Sequence, residues 1–147
     1  MGEDELGVVL RAHFYIEGAV EALIEELLPF PKHLPKLRFE QKAKLACALG
    51  LDGSVLSPLE EFGHLRNTFG HQIGAKLTQG SVRKFFEAFS PADRKTIETG
   101  YKLTQQQLGD LPKMKDLCPK DLFVVTIIAL YKILAQSHSE VKGKPLR

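Results

Sequence analysis

A chain of 147 residues with 44% hydrophobic and 26% charged residues is expected to form one soluble globular domain with a single core. The acidic N-terminus does not resemble a secretory signal peptide. The most apolar run, Leu122 to Ala135, is predicted to be a buried helix too short to span a membrane. The only cysteines, Cys47 and Cys118, lack metal-ligand spacing, so we expect a reducing, cytoplasmic compartment and neither a metal nor a cofactor.

The spacing of apolar residues, together with helix start and stop signals, predicts an all-α architecture. In the first segment Val9, Ile16 and Leu23 recur at helical spacing, and Pro29 ends the helix because proline blocks a helix interior. The sequence contains no strand pattern, internal repeat or low-complexity tract. The predicted helices are Leu6–Leu28, Phe39–Leu49, Ser57 to about Gly74, Val82–Phe89, Pro91 to about Leu108 and Pro119 to about Gln136.

Several polar residues of the first two helices receive a structural interpretation. Glu17, Glu21 and Glu25 are spaced by four and could pair as catalytic carboxylates, but an exposed acidic face is favoured. His13 lies one turn before Glu17 and is expected to be its ion-pair partner. Cys47 has no adjacent base to activate it, so it is expected to fill space in the core.

Charge is unevenly distributed along the chain, although the net charge is only +2. Residues 1–28 contain seven acids and one arginine, a net charge of −6, so residues 29–147 carry +8. Any single lysine is expected to be solvated surface, but the 25 residues from Phe62 to Phe86 contain no acid, which indicates an anionic partner. The cations in this stretch are Arg66, Lys76, Arg83 and Lys84.

The helix from Ser57 contains the most unusual residues. Ser57, Pro58 and Glu60 fit a capping box with proline at the first helical position. At roughly 100° per residue, one face is an apolar stripe expected to lie in the core. Its members are Phe62, Leu65, Phe69 and Ile73.

A second face of the same helix is polar. His64, Asn67 and His71 form a column at spacings of three, four and seven residues. Gly63 and Gly70 lie between this column and Arg66, and each costs a helix about 1 kcal/mol relative to alanine. We therefore expect a partner helix or a ligand to approach the backbone there, and predict both glycines to be dimer contacts.

These side chains could support three kinds of chemistry. A metal site is the weakest, because His64 and His71 are about 10.5 Å apart along the axis. A nucleophilic enzyme needs a serine, threonine or cysteine beside a base, which the sequence does not place. Phosphodiester chemistry fits better. His71 can transfer a proton, Arg66 can hold the phosphate, and Asn67 can orient His71.

Within one copy of the motif the two side chains do not face a common site, because Arg66 and His71 point roughly 140° apart on a helix. Two copies that meet across the glycines would bring both side chains around one pocket. The structural alternative is that Arg66 pairs with an acid of the first helix and His71 caps its own helix end. The residues alone leave these two interpretations open.

The Arg66-Asn67-x-x-x-His71 pattern resembles the signature of the HEPN superfamily, helical-bundle proteins that often dimerise with two motifs facing each other. The wider chain, about residues 6–137, resembles the branch that contains the mannitol operon repressor. That resemblance includes the run from Phe39 to Leu51 and the final apolar helix, Phe123 to Leu134. Gly70 departs from the alanine expected before the histidine.

The resemblance implies an all-α, HEPN-like up-and-down bundle of five to six helices that forms a homodimer. It implies a metal-independent endoribonuclease, toxin-like in some relatives, in which Arg66, Asn67 and His71 form the catalytic motif. Lys76, Arg83 and Lys84 are the predicted nucleic-acid contacts. The alternative is a non-catalytic transcriptional regulator or protein-interaction module, with an antitoxin or regulatory protein as partner. Residues 1–147 are expected to form one domain with a mobile basic tail over 138–147.

Overall fold

The computed structural model describes residues 4–142, and within this range it contains six α-helices and no β-strand. The helices are α1 Glu5–Leu27, α2 Phe39–Ala48, α3 Leu56–His71, α4 Gln79–Glu87, α5 Pro91–Leu108 and α6 Pro119–Lys142. Short 3₁₀ turns at Pro31–His33, Gly53–Val55 and Met114–Asp116 lie in the connections. The predicted all-α helical bundle is confirmed at this level.

The long helices α1 and α6 share the most extensive helix–helix contact. The periodic apolar residues of α1, among them Val9, Ile16 and Leu23, are completely buried, as their spacing predicts. In α6 the buried Thr126 donates its hydroxyl hydrogen bond to the carbonyl of Leu122 at 2.7 Å, which satisfies the one polar side chain on the buried face of that helix.

Phe62 of α3 is completely buried in the core and packs against aromatic rings of three other helices. Its ring is 5.9 Å from the ring of Phe39 on α2, 5.9 Å from that of Phe85 on α4 and 6.3 Å from that of Phe123 on α6. These centroid distances are typical of favourable aromatic pairs. The ring of Phe62 therefore holds the predicted motif helix in a defined position against three other helices.

The start of α3 differs from the prediction. The 3₁₀ turn Gly53–Val55 continues directly into α3 at Leu56, so Ser57 is already helical and caps nothing. The side chain that accepts a hydrogen bond is that of Asp52, which caps the preceding turn through the N–H of Ser54 at 2.9 Å. The Ser57 capping box is therefore wrong, because the chain enters the helix from a turn that is already wound.

The end of α3 also differs. The helix ends at His71, since Gln72 is extended, and the positive φ of 78° at Gly74 comes three residues later. Phe62, Leu65 and Phe69 are buried as predicted, but Ile73 is fully exposed. Ile73 lies beyond the helix, so the helical spacing that assigned it to the core does not apply.

The predicted start of α5 is correct, whereas that of α4 is wrong. Thr78 accepts a hydrogen bond from the N–H of Ser81 at 3.0 Å, so α4 begins three residues before its predicted start at Val82. Ser90 accepts from the N–H of Asp93 at 3.1 Å and Pro91 is the first residue of α5, as predicted. Only Ile97 and Tyr101 of α5 are buried, so most of this helix lies outside the core.

Helix α6 is longer than predicted and ends at Lys142 rather than near Gln136. The predicted mobile tail therefore begins inside a helix, where His138 lies 3.6 Å from a carboxylate oxygen of Glu26. Residues 143–147 lie outside the described residues.

By length and mean hydropathy alone, α6 is the one described helix that could cross a membrane. A core helix has the same properties, and Phe123, Leu130 and Leu134 are completely buried within the bundle. The absence of a membrane span and the cytoplasmic location both stay predictions.

Candidate functional site

A cleft of about 400 Å³ opens beside Arg66, where α1, α2 and α3 meet. We call it the Arg66 cleft. It is lined by His13, Glu17, Leu37, Arg38, Phe39, Glu40, Glu60, Gly63, His64, Arg66 and Asn67. Two of the three predicted catalytic residues, Arg66 and Asn67, therefore face one concave surface together with side chains from α1 and α2.

Arg66 is half-buried and is held by its neighbour in the chain. Its Nη1 donates a hydrogen bond to Oδ1 of Asn67 at 3.3 Å. Among residues 4–142, Arg66 has no carboxylate within ion-pair distance, so the predicted alternative of a pair with an acid of α1 is not observed. Asn67 was predicted to orient His71, but in the structure it orients Arg66.

The acids of α1 that could have paired with Arg66 are bound by Lys42 of α2. Lys42 Nζ lies 3.4 Å from Glu17 and forms a shorter ion pair with Glu21. Partial burial lowers the pKa of Lys42, but its hydrogen bond to Glu21 and the two carboxylate charges outweigh burial and raise this pKa. Of the three predicted acidic-face residues, Glu25 is exposed, whereas Glu17 and Glu21 are half-buried, so that face is partly an interhelical contact.

His13 lies beside Arg66 and, within residues 4–142, is one of two polar residues buried in the core. Its Nε2 is 3.5 Å from a carboxylate oxygen of Glu17, so the two side chains are neighbours as predicted, and they form an ion pair only when His13 is protonated. Its Nδ1 is buried with no hydrogen-bond partner. Burial lowers the pKa of His13, the charges of Arg66 and Lys42 lower it further, and Glu17 opposes them.

The burial of His13 in the core was not predicted, although the sequence contains a signal for it. His13 follows Val9 by four residues and precedes Ile16 by three, so it belongs to the apolar stripe of α1. Its ring packs 5.5 Å from Phe39 and 6.3 Å from Phe62.

His71 is exposed at the C-terminal end of α3 and does not line the Arg66 cleft. Among the described residues its side chain has no hydrogen bond or ion pair, so the predicted cap of its own helix end is not observed; the N–H of Gln72 instead bonds to the carbonyl of Thr68. His71 and Arg66 are separated by about 7.5 Å of helical rise and point roughly 140° apart. One chain does not bring the two side chains together.

The two glycines of α3 differ in their surroundings. A Cβ on Gly63 would lie 3.4 Å from the ring of Phe39, so the close approach predicted there is made by the protein's own α2. A Cβ on Gly70 would meet no atom within 4 Å. The surface at Gly70 is therefore open, and its role as a dimer contact stays a prediction.

The predicted nucleic-acid contacts Lys76, Arg83 and Lys84 are all exposed. Arg83 lines a second cleft together with Lys102, Lys113 and Lys115. These lysines were not singled out from the sequence, because they follow Arg83 by 19 or more residues and only the packing of α5 and its following connection brings them to it.

Two further candidates for chemistry are the thiol of Cys47 and a cluster of metal-ligating side chains. Cys47 is half-buried, and burial raises the pKa of its thiol, with the nearby charges of Asp52 and Glu60 adding to the effect. This agrees with the predicted packing role. Within residues 4–142, no three histidine, cysteine or acidic side chains cluster as metal ligands.

In comparisons with protein-family models, curated proteins and solved structures, none matches this chain. The class that the fold defines is thus an all-α helical bundle with a polar cleft over its third helix. The likeness to the HEPN superfamily stays a prediction from the motif residues.

Proposed function

We propose that this protein binds RNA and cleaves it without a metal ion, through Arg66, Asn67 and His71. The accessibility of the motif supports the proposal: Arg66 opens into a cleft without an acidic partner, and His71 is exposed and unbonded among the described residues. Polar side chains are commonly exposed, so the main support comes from the position of Arg66 beside Asn67 in a concave surface.

Each side chain has a distinct task in this reaction. His71 accepts the proton of the ribose 2′-hydroxyl or gives a proton to the leaving oxygen. The guanidinium of Arg66 holds the phosphate through two parallel hydrogen bonds and stabilises the charge that develops on it. Asn67 accepts from Nη1 of Arg66, which restricts the guanidinium before the phosphate arrives.

The reaction requires two copies of the chain. His71 and Arg66 of one α3 point too far apart to share a phosphate. Two α3 helices that meet across the open surface at Gly70 bring His71 of one copy towards Arg66 of the other. Lys76, Arg83 and Lys84 then provide exposed cations for the RNA backbone.

The test compares cleavage with binding in matched variants. His71→Ala should lower RNA cleavage by about 10² or more, the usual scale for a general acid or base, and change RNA binding little. Arg66→Ala should reduce both, and Arg66→Lys should not restore cleavage, because a point charge lacks the planar fork. Cleavage should persist in a chelator, since His71 and Arg66, not a metal ion, assist the proton transfer and stabilise the developing charge.

His33→Ala is the control, because His33 is an exposed histidine on the 3₁₀ turn after α1. It should cleave and bind as the unmodified protein does. If His71→Ala cleaves at the rate of the unmodified protein, or if the latter cleaves no RNA, the catalytic proposal fails.

A second candidate function is a non-catalytic regulator of the mannitol-repressor type or a protein-interaction module. The observation that favours it is the presence of Glu17, Glu40 and Glu60 in the Arg66 cleft, since carboxylates repel a phosphate. A regulator would bind an operon partner or antitoxin through this cleft. RNA binding without cleavage, or neither activity, would support this alternative.

A further inference from the structure

Four cations converge on a cleft of about 660 Å³ formed by α4, α5 and the connection before α6. Arg83 belongs to α4, Lys102 to α5, and Lys113 and Lys115 to the connection. We call this surface the basic cleft. Among the described residues none of the four lies within ion-pair distance of a carboxylate. Glu98 is the one acid that lines the cleft within residues 4–142.

The floor of the basic cleft is apolar. Phe86, Tyr101 and Leu122 are buried, and Met114 is partly buried. A flat or apolar group placed on this floor would displace water from hydrocarbon surface, while a charged group at the rim would meet the cations. The cleft thus has two chemically different parts within one ligand-sized volume.

Two hydrogen bonds fix the connection that carries Lys113 and Lys115. The hydroxyl of Tyr101 donates to the carbonyl of Pro112 at 2.6 Å, and Nε2 of Gln105 donates to the same carbonyl at 2.7 Å. Both bonds act on the residue directly before Lys113. The backbone that presents the two lysines is therefore held against α5 before any ligand binds, which lowers the entropic cost of binding.

We propose that the basic cleft binds an organic phosphate that carries an aromatic or apolar body. Among the described residues, four cations without an ion pair and one carboxylate line the cleft, and the excess of three positive charges suits a dianion better than a single carboxylate. A phosphate monoester carries about −1.5 to −2 charges at pH 7 and several strong acceptor oxygens. A volume of 660 Å³ lies in the range of small-molecule sites. The inference does not depend on the proposed cleavage by Arg66 and His71.

The same chemistry could come from a free small molecule or from the 5′-phosphorylated end of an RNA strand. The probe for the shared chemistry is 1-naphthyl phosphate, whose binding is followed by its fluorescence. Inorganic phosphate and 1-naphthol each carry one half of the probe. We expect the whole probe to bind at least tenfold more tightly than either half, because both parts of the cleft contribute.

Charge variants test the site from both directions. The double variant Lys113→Gln/Lys115→Gln should weaken probe binding by about tenfold or more, since a hydrogen bond to a charged group is worth about tenfold in affinity. Glu98→Gln should tighten binding about threefold, because it removes the one repelling carboxylate. A gain in affinity does not arise from misfolding, so this variant is informative even if the lysine variant unfolds.

Lys44→Gln and Glu25→Gln are the matched controls, because both residues are exposed on other helices. Neither should change probe affinity. Competition by a short 5′-phosphorylated single-stranded RNA would assign the ligand to the end of a strand, and lack of competition would assign it to a free organic phosphate. The proposal is overturned if 1-naphthol binds as tightly as its phosphate, or if Glu98→Gln and Glu25→Gln have the same effect.

Discussion

Replacing His13 with phenylalanine should stabilise the fold, although it removes a polar contact. Nδ1 of His13 is buried without a partner, and a buried unsatisfied polar atom costs about 1 to 3 kcal/mol. The ring already packs between Phe39 and Phe62, so an aromatic ring of similar size suits the site. Two effects oppose this gain: the variant loses the 3.5 Å contact with Glu17, and its ring is slightly overpacked. Each should destabilise the fold by about 1 kcal/mol or less.

The net effect at pH 7 should be a gain of about 1 kcal/mol in the free energy of unfolding, or about 3 °C in Tm for a chain of this size. The effect should increase in acid. Burial, with Arg66 and Lys42 nearby, lowers the pKa of His13 in the folded state despite Glu17, so below its ordinary value of about 6.5 the unfolded chain binds the proton more readily.

The unmodified protein should therefore lose stability as the pH falls below about 6.5, by at most about 1.4 kcal/mol per pH unit from this one group. His13→Phe should remove that part of the slope. Urea unfolding at pH 7.5, 6.5, 5.5 and 5.0 measures both effects, and His33→Phe is the control because His33 is exposed. A variant that is less stable at pH 7.5 and keeps the full slope below 6.5 would refute the reasoning.

Three further predictions concern assembly, RNA binding and the contact between α1 and α2. Gly70→Leu should leave the monomer folded, because a Cβ there meets nothing within 4 Å, yet weaken a dimer formed over that surface; sedimentation that shows an unchanged dimer would contradict this. If RNA is bound through about four phosphates, the logarithm of the affinity should fall with the logarithm of the salt concentration at a slope near −0.7 per contact. Lys76→Ala should flatten this slope by roughly one contact, and an affinity that does not depend on salt would exclude binding through the RNA backbone. Lys42→Met should destabilise the fold by about 1 kcal/mol at low salt and by less at high salt, where counterions screen the ion pairs with Glu17 and Glu21; equal losses at both salt concentrations would point to packing instead.

Local features of the chain were predicted well wherever their cause is local. The apolar periodicity of α1 and the Ser90-Pro91 start of α5 depend on residues within one or two turns, and both are confirmed. The start and end of α3 were predicted wrongly, because both depend on the conformation of the backbone that flanks the helix. At the start, a 3₁₀ turn already winds the chain before Ser57. At the end, the backbone becomes extended at Gln72, so the helix ends before Ile73. Neither the turn nor the extended residue has a strong signal in the sequence.

The sequence by itself determined the helical class of this protein and the motif of Arg66, Asn67 and His71, because helix periodicity and motif spacing are short-range properties. Only the tertiary structure decided what surrounds the motif. His13, more than 50 residues before Arg66, reaches it through the packing of α1 on α3. Lys113 joins Arg83 because α5 returns the chain to α4. Such neighbours depend on how whole helices pack around a shared core, a long-range property that the spacing of residues along one helix does not contain.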